Sequence, residues 1–185
     1  GNTVAVGALY HDGNGENAGN VRVFIFDESS LYWVQKGEDF DGEPYDELGV
    51  DVSLNSDGNR IAVAAYLNDD NGINSGLVRI YDWDGASWYQ LGDDINGESS
   101  GDGFGTSLTL SDNGDRIAVG APFATTQNGV NSGYVKIYNF NNTSWSQLGD
   151  NIEGENSDDE EGRRVLLSGD GNYLAISTLY GGGDD

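Results

Sequence analysis

Along the chain, apolar residues fall in short runs, and the runs recur. Val4-Ala5-Val6-Gly7-Ala8 returns as Ile61-Ala62-Val63-Ala64-Ala65 and as Ile117-Ala118-Val119-Gly120-Ala121. A weaker copy is Leu174-Ala175-Ile176-Ser177-Thr178, and the successive offsets are 57, 56 and 57 residues. A second run follows each anchor: Val21-Arg22-Val23-Phe24-Ile25, Val78-Arg79-Ile80-Tyr81 and Val135-Lys136-Ile137-Tyr138. Its alternation puts Val21, Val23 and Ile25 on one face of a strand. A third run carries Trp33, Trp88 or Trp145 with a Gln close behind. A fourth opens at Leu48-Gly49, Phe104-Gly105 or Glu161-Gly162 and ends in the turns at Asp57-Gly58, Asn113-Gly114 and Asp170-Gly171. Period two, β-type residues and Gly/Asn/Asp turns predict four strands per unit, and no segment sustains a helical period.

Four short strands in each repeat of about 57 residues is the pattern of a β-propeller blade, a twisted sheet that packs face to face on its neighbours. The prediction is therefore an all-β, propeller-type array of four-stranded antiparallel blades, with an open linear array as the alternative. As one repeat domain over 1–185, it divides into a partial blade (1–46), two blades (47–102 and 103–160) and a second partial blade (161–185). That is about 3.2 repeats, whereas closed propellers use 4 to 8 blades. The expectation is a segment of a longer propeller, or a protomer whose end strands another copy completes as an oligomer or filament, because open sheet edges invite pairing.

Charge and composition narrow the partners. The 185 residues carry 32 acidic and 8 basic side chains, a formal net charge of −24. Phosphate backbones are repelled by such a surface, so nucleic acid is excluded as a partner. No apolar run is long enough for a membrane-spanning helix, so no membrane insertion is expected of this segment. With no Cys and a single His, His11, thiol chemistry and Cys- or His-rich metal sites are absent from the chain. The 4 Trp, 10 Tyr and 6 Phe are too many for a disordered polyelectrolyte.

Phe104-Gly105-Thr106-Ser107, Gly120-Ala121-Pro122 and Gly133-Tyr134-Val135-Lys136-Ile137-Tyr138 together resemble the FG-GAP repeat. That repeat builds the propeller of integrin α-chains and of many extracellular microbial and algal proteins. The flanking copies depart from it, reading Leu48-Gly49 and Glu161-Gly162 at the first signature. The resemblance implies an extracellular or cell-surface, non-enzymatic scaffold or adhesion module that offers its loops to proteins or glycans. The alternative is a segment of a secreted propeller enzyme acting on polysaccharide.

The resemblance also brings in calcium, which FG-GAP propellers bind through loop oxygens. The equivalent loops here, such as the one holding Asp112 and Asp115, are short and read as hairpin turns. Asp12, Asn14 and Glu16 offer oxygens at alternate positions and are the other candidate cation ligands. Asn141-Asn142-Thr143-Ser144 contains two overlapping glycosylation sequons, with Asn141 and Asn142 as acceptors. Trp33, Trp88 and Trp145 recur too strictly for a sugar platform and are expected to pack blade on blade. Arg22, Arg79 and Lys136 are repeat equivalents, expected to pair with recurring acids. Those acids (Glu43 and Asp46, Glu98 and Asp102, Glu155 and Asp159) recur in every unit, so their expected role is to hold turn N–H groups rather than to catalyse.

Overall fold

The computed structural model describes residues 1–179; the last residues of the predicted partial blade at 161–185 lie outside the described residues. Within them the chain is all-β and folds as a propeller-type array of antiparallel sheets, open rather than closed. The first sheet holds β1 (Thr3–Gly7), β2 (Asn20–Asp27), β3 (Tyr32–Gln35) and β4 (Phe40–Asp41). The second holds β5 (Val52–Leu54), β6 (Arg60–Ala65), β7 (Leu77–Trp83), β8 (Trp88–Gln90) and β9 (Ile95–Asn96). The third repeats this as β10 (Ser107–Leu110), β11 (Arg116–Ala121), β12 (Tyr134–Phe140), β13 (Trp145–Gln147) and β14 (Ile152–Glu153). A two-stranded sheet of β15 (Arg164–Leu167) and β16 (Leu174–Ser177) ends the described chain.

Each full sheet runs in sequence order, with register pairs such as Ile61 to Tyr81 and Ile117 to Tyr138 at equivalent places. The predicted Trp-containing strand is split in two. In the second sheet β8 pairs with the Tyr81–Trp83 end of β7, while β9 pairs with Leu77 and Val78. Between them Gly92 takes a φ of 80°, a left-handed turn that breaks the strand.

Packing is between sheets. Val21, Val23 and Phe40 of the first sheet close on Ile61, Val63 and Leu77 of the second. Ala62, Ala64, Val78 and Ile80 of the second close on Ile117, Val119 and Tyr138 of the third, with Phe104 at 0% exposure between them. The Ala-rich strands β6 and β11 are buried on both faces, which explains why they lack alternation. Trp88 Nε1 donates to the Lys36 carbonyl at 2.7 Å and Trp145 Nε1 to the Leu91 carbonyl at 2.9 Å, so each indole bonds to the preceding sheet. Neighbouring sheets converge on their first strands, where β5, β10 and β15 lie side by side. There the Asp51 carboxylate accepts the Leu108 N–H and Ser53 Oγ the Leu110 N–H, so side chains of β5 and the residue before it satisfy the otherwise unpaired edge of β10.

Candidate functional site

The two ends of these first strands differ in character. At one end the turns hold the sheets together: Ser56 N–H donates to the Asp112 carbonyl at 3.0 Å, and Asp112 N–H to the Gly169 carbonyl at 2.7 Å. At the other end, where β6 and β11 finish and β5, β10 and β15 begin, a cleft of about 260 Å³ opens. Val50, Thr106 and Arg163 line it from one repeat position, directly after the recurring Gly49, Gly105 and Gly162. Arg164, Tyr66 and Phe123 complete the lining.

Here the repeat stops repeating. The second residue after each of those glycines is Asp51, Ser107 or Arg164: an acid, an alcohol and a base in one structural position. Desolvation raises the Asp51 carboxyl above its ordinary value, against the bonds from Leu108 and Val52 N–H and the charge of Arg164. Ser107 Oγ is buried and donates to the Gly162 carbonyl at 2.8 Å. Arg163 lies over the Phe123 ring, 5.5 Å from its centroid, and its Nη1 is 3.2 Å from Glu160 Oε2.

Two glutamates stand behind the lining. Glu47, Gly103 and Glu160 share one repeat position, and all three have left-handed backbones, with φ of 53°, 61° and 52°. Glycine is the residue that conformation suits, and an L side chain there is strained. Tyr66 donates to the Glu47 carboxylate, and burial, with that bond and charge behind it, pushes the phenol up to about 12. Glu47 Oε2 is nonetheless buried with no hydrogen-bond partner, and so is Glu160 Oε2, whose approach to Arg163 lies outside hydrogen-bond geometry. Strain and unsatisfied buried oxygens at one spot mark a place held for something other than stability. Sequence reading passed over Glu47 and Glu160 among the recurrent acids. Their signal was available: an acid stands in both flanking repeats where the central repeat has Gly.

The residues singled out from sequence are placed elsewhere. Asp12 Oδ1 accepts the Asn17 N–H at 2.8 Å, Asn14 Nδ2 donates to the Gly42 carbonyl at 2.8 Å, and Glu16 accepts the Tyr45 hydroxyl at 2.7 Å. They serve three separate contacts rather than one centre. Asp115 pairs with Arg60 at 2.7 Å, and Asp112 lies in the turn-to-turn contact. Among the described residues no group of three or more His, Asp or Glu is gathered in a way that would hold a metal. Asn141 Oδ1 is occupied by Thr143 and Ser144, whereas Asn142, at a φ of 74°, sits exposed at the hairpin tip. Trp33 is half-exposed, unlike the clamped Trp88 and Trp145. Arg79 pairs with Asp94 at 2.8 Å, Lys136 with Glu98 at 2.6 Å, and Arg22 lies over Phe24 at 5.7 Å. Asp46, Asp102 and Asp159 are buried and accept turn N–H groups, from Glu43, from Glu98 and Ser99, and from Asn156 respectively. Another cleft, of about 660 Å³ between Glu98 and Glu153, is an open polar groove lined by amides and acids.

Comparison with known proteins places this geometry. The FG-GAP repeat model matches residues 34–81. No curated protein sequence matches the chain. Among solved structures, a periplasmic gluconolactonase of Pseudomonas aeruginosa superposes with a TM-score of 0.57 at 16% identity, covering 95% of this chain and 47% of that one. A candidate 6-phosphogluconolactonase of Bacteroides uniformis gives 0.56 at 15%, covering 92% and 46%. One from Bacteroides fragilis gives 0.55 at 12%, covering 85% and 41%. The chain thus spans less than half the length of each, and at this identity the likeness carries the fold. It also corrects an expectation. The reading as a non-enzymatic adhesion scaffold, with no enzyme activity, is overturned, because the solved structures that share the fold are described as lactonases. That reading rests on the FG-GAP resemblance, the composition and the recurrence of the acids.

Proposed function

We propose that the chain forms part of a propeller-type enzyme that binds a sugar lactone in the cleft at the start of β5, β10 and β15 and opens it by hydrolysis. One observation carries the reading: Asp51, Ser107 and Arg164 occupy equivalent positions with three different chemistries, beside Arg163 and a 260 Å³ cleft. Many structural positions in this chain keep their residue type from repeat to repeat, as Trp88 and Trp145 or Arg60 and Arg116 do, and we read the divergence at these three positions as selection for a ligand. The volume lies just below the ~300–1,000 Å³ of clefts for drug-sized ligands, which suits a single sugar ring. The fold's lactonase neighbours support the ester class.

In this reading Arg163 and Arg164 donate to the lactone carbonyl oxygen. Water adds to the carbonyl carbon, the ring C–O bond breaks, and the ring oxygen leaves as a hydroxyl while one proton is released with the aldonate. Guanidinium donors are strongest where charge develops on the carbonyl oxygen. Tyr66, protonated at neutral pH, and Thr106 supply hydroxyls for the sugar, and Val50 and Phe123 an apolar wall. The test is proton release from gluconolactone above the uncatalysed rate, with calorimetric titration of gluconate alongside. Arg163→Ala and Arg164→Ala each lower the rate about 100-fold. No rate above buffer together with no gluconate binding overturns the reading.

A further inference from the structure

The charge inventory around the cleft names the class of sugar, on the premise that the cleft takes a lactone. Arg163 has an ion-pair partner in Glu160 at 3.2 Å, and the Asp51 carboxylate lies within the field of Arg164. Glu47, behind Tyr66, adds a third carboxylate with no cation facing it. Two positive charges against three negative ones leave the cleft without positive surplus.

The other six basic residues are committed elsewhere. Arg60 bridges Asp82 and Asp115, and Arg79 pairs with Asp94. Lys136 is held by Glu98, and Arg116 by Asn139 and the Gly171 carbonyl. Lys36 is buried on the Gly58 carbonyl and Asn59, and Arg22 lies on Phe24. A phosphate monoester brings about −1.5 to −2 charge and is recognised by unpaired Arg or Lys or by a helix N-terminus. The described residues contain no helix, and the six basic side chains outside the cleft are engaged away from it. Around this lies a chain of net charge −24.

We infer that the cleft selects an unphosphorylated sugar lactone, and its monoanionic aldonate product, over the 6-phospho forms. Glu160 is a positioning residue in this scheme: it offsets the charge of Arg163, so the guanidinium serves as a hydrogen-bond donor to a neutral carbonyl rather than as an anion trap.

Calorimetric titration of the chain with gluconate and with 6-phosphogluconate tests this, at about 50 and 300 mM salt so that screening is visible. Gluconate binds at least about tenfold more tightly, and the gap narrows at the higher salt as repulsion of the phosphate is screened. Glu160→Gln raises 6-phosphogluconate affinity several-fold and gluconate affinity less, an effect that loss of fold cannot mimic because it is a gain. Glu47→Gln, which leaves the Arg163 pair intact, shifts preference the same way by a smaller factor. If 6-phosphogluconate binds as tightly as gluconate or tighter, this inference falls and the lactone reading stands. If neither ligand binds, the lactone reading itself falls and takes the inference with it.

Discussion

Replacing Glu160 by glycine should make the protein more stable while altering its affinity for the ligand. The backbone at Glu160 has a φ of 52°, which costs an L residue about 1–2 kcal/mol that glycine does not pay. Its Oε2 is buried without a hydrogen-bond partner, a further penalty of about 1–3 kcal/mol. Against this, glycine adds about 0.5–1 kcal/mol of unfolded-chain entropy. The lost contact with Arg163, whose side chain is 41% exposed, is an ion pair worth about 0–1 kcal/mol. The terms sum to a gain of about 0–4 kcal/mol, and its centre at ~2 kcal/mol is roughly 4–8 °C in Tm for a chain of this size. Glu47→Gly also gives up the bond from Tyr66, so its gain is smaller, about 0–2 kcal/mol. The internal control is Gly103→Ala at the same position of the central repeat. There an added Cβ would meet Phe123 Cδ2 at 2.7 Å with φ at 61°, so the change destabilises by about 1–3 kcal/mol. Thermal unfolding followed by circular dichroism reads the stabilities, and gluconate titration reads the site. A fall in Tm for Glu160→Gly, or gluconate affinity unchanged within error, would refute the assignment of this position to the ligand.

Further outcomes follow from the same geometry. Trp145→Phe deletes the 2.9 Å bond from Nε1 to the Leu91 carbonyl and is expected to cost about 1–2 kcal/mol in a denaturant titration, while Trp33→Phe, with a half-exposed ring, stays within about 0.5 kcal/mol. Gly97→Ala drives its Cβ into the Ser75 carbonyl oxygen and should cost about 3 kcal/mol or more, whereas Gly149→Ala meets open space and costs about 1 kcal/mol for its φ of 75°. Burial raises the Asp102 carboxyl above 3.8, against bonds from Ser99 N–H and Tyr134; folded protein therefore binds this proton more tightly than unfolded chain, and the stability it brings at low pH is lost as pH rises through the raised value. Asp102→Asn lacks that slope, so its Tm relative to wild type climbs from pH 4 to pH 7. Glu98 is held below 4.5 by Lys136, so its contribution is present above that value and lost on acidification through the lowered one; Lys136→Met removes this acid-side loss from the pH–Tm profile.

The strands were legible because they obey a rule that the chain states several times. Val21 and Val23, Val78 and Ile80, Val135 and Ile137 stand in fixed register, and a sheet that must bury one face on each neighbour admits little else. The Asp46, Asp102 and Asp159 turns were legible for the same reason, since every unit needs the same N–H groups satisfied. What escaped was the split of the outer strand into β8 and β9, or β13 and β14. Two-residue strands carry no period, and the left-handed turn that separates them, at Gly92 or Gly149, is one glycine among 29. The cleft escaped for a deeper reason. Its lining residues come from five separated places in the chain, at Val50, Tyr66, Thr106, Phe123 and Arg163 with Arg164, and only the convergence of three first strands brings them together.

Periodicity therefore separates two kinds of demand on one fold. A residue that recurs in every repeat, such as Trp88 with Trp145 or Arg60 with Arg116, makes the same inter-sheet contact each time and is held by packing. A residue that differs at an otherwise recurring position can still serve packing, as Leu48 and Phe104 do, so divergence points to function only where it also brings in charge or strain. Asp51 and Arg164 meet that condition while keeping the strand starts aligned, and Glu47 and Glu160 meet it at a measurable cost in backbone strain. Tandem repetition supplies its own control: Gly103 shows what the position holds when only folding is served. In a repeat protein the site is thus to be sought where equivalent residues disagree, and in this chain Val50, Thr106 and Arg163, which disagree at one repeat position, line a cleft together with Arg164.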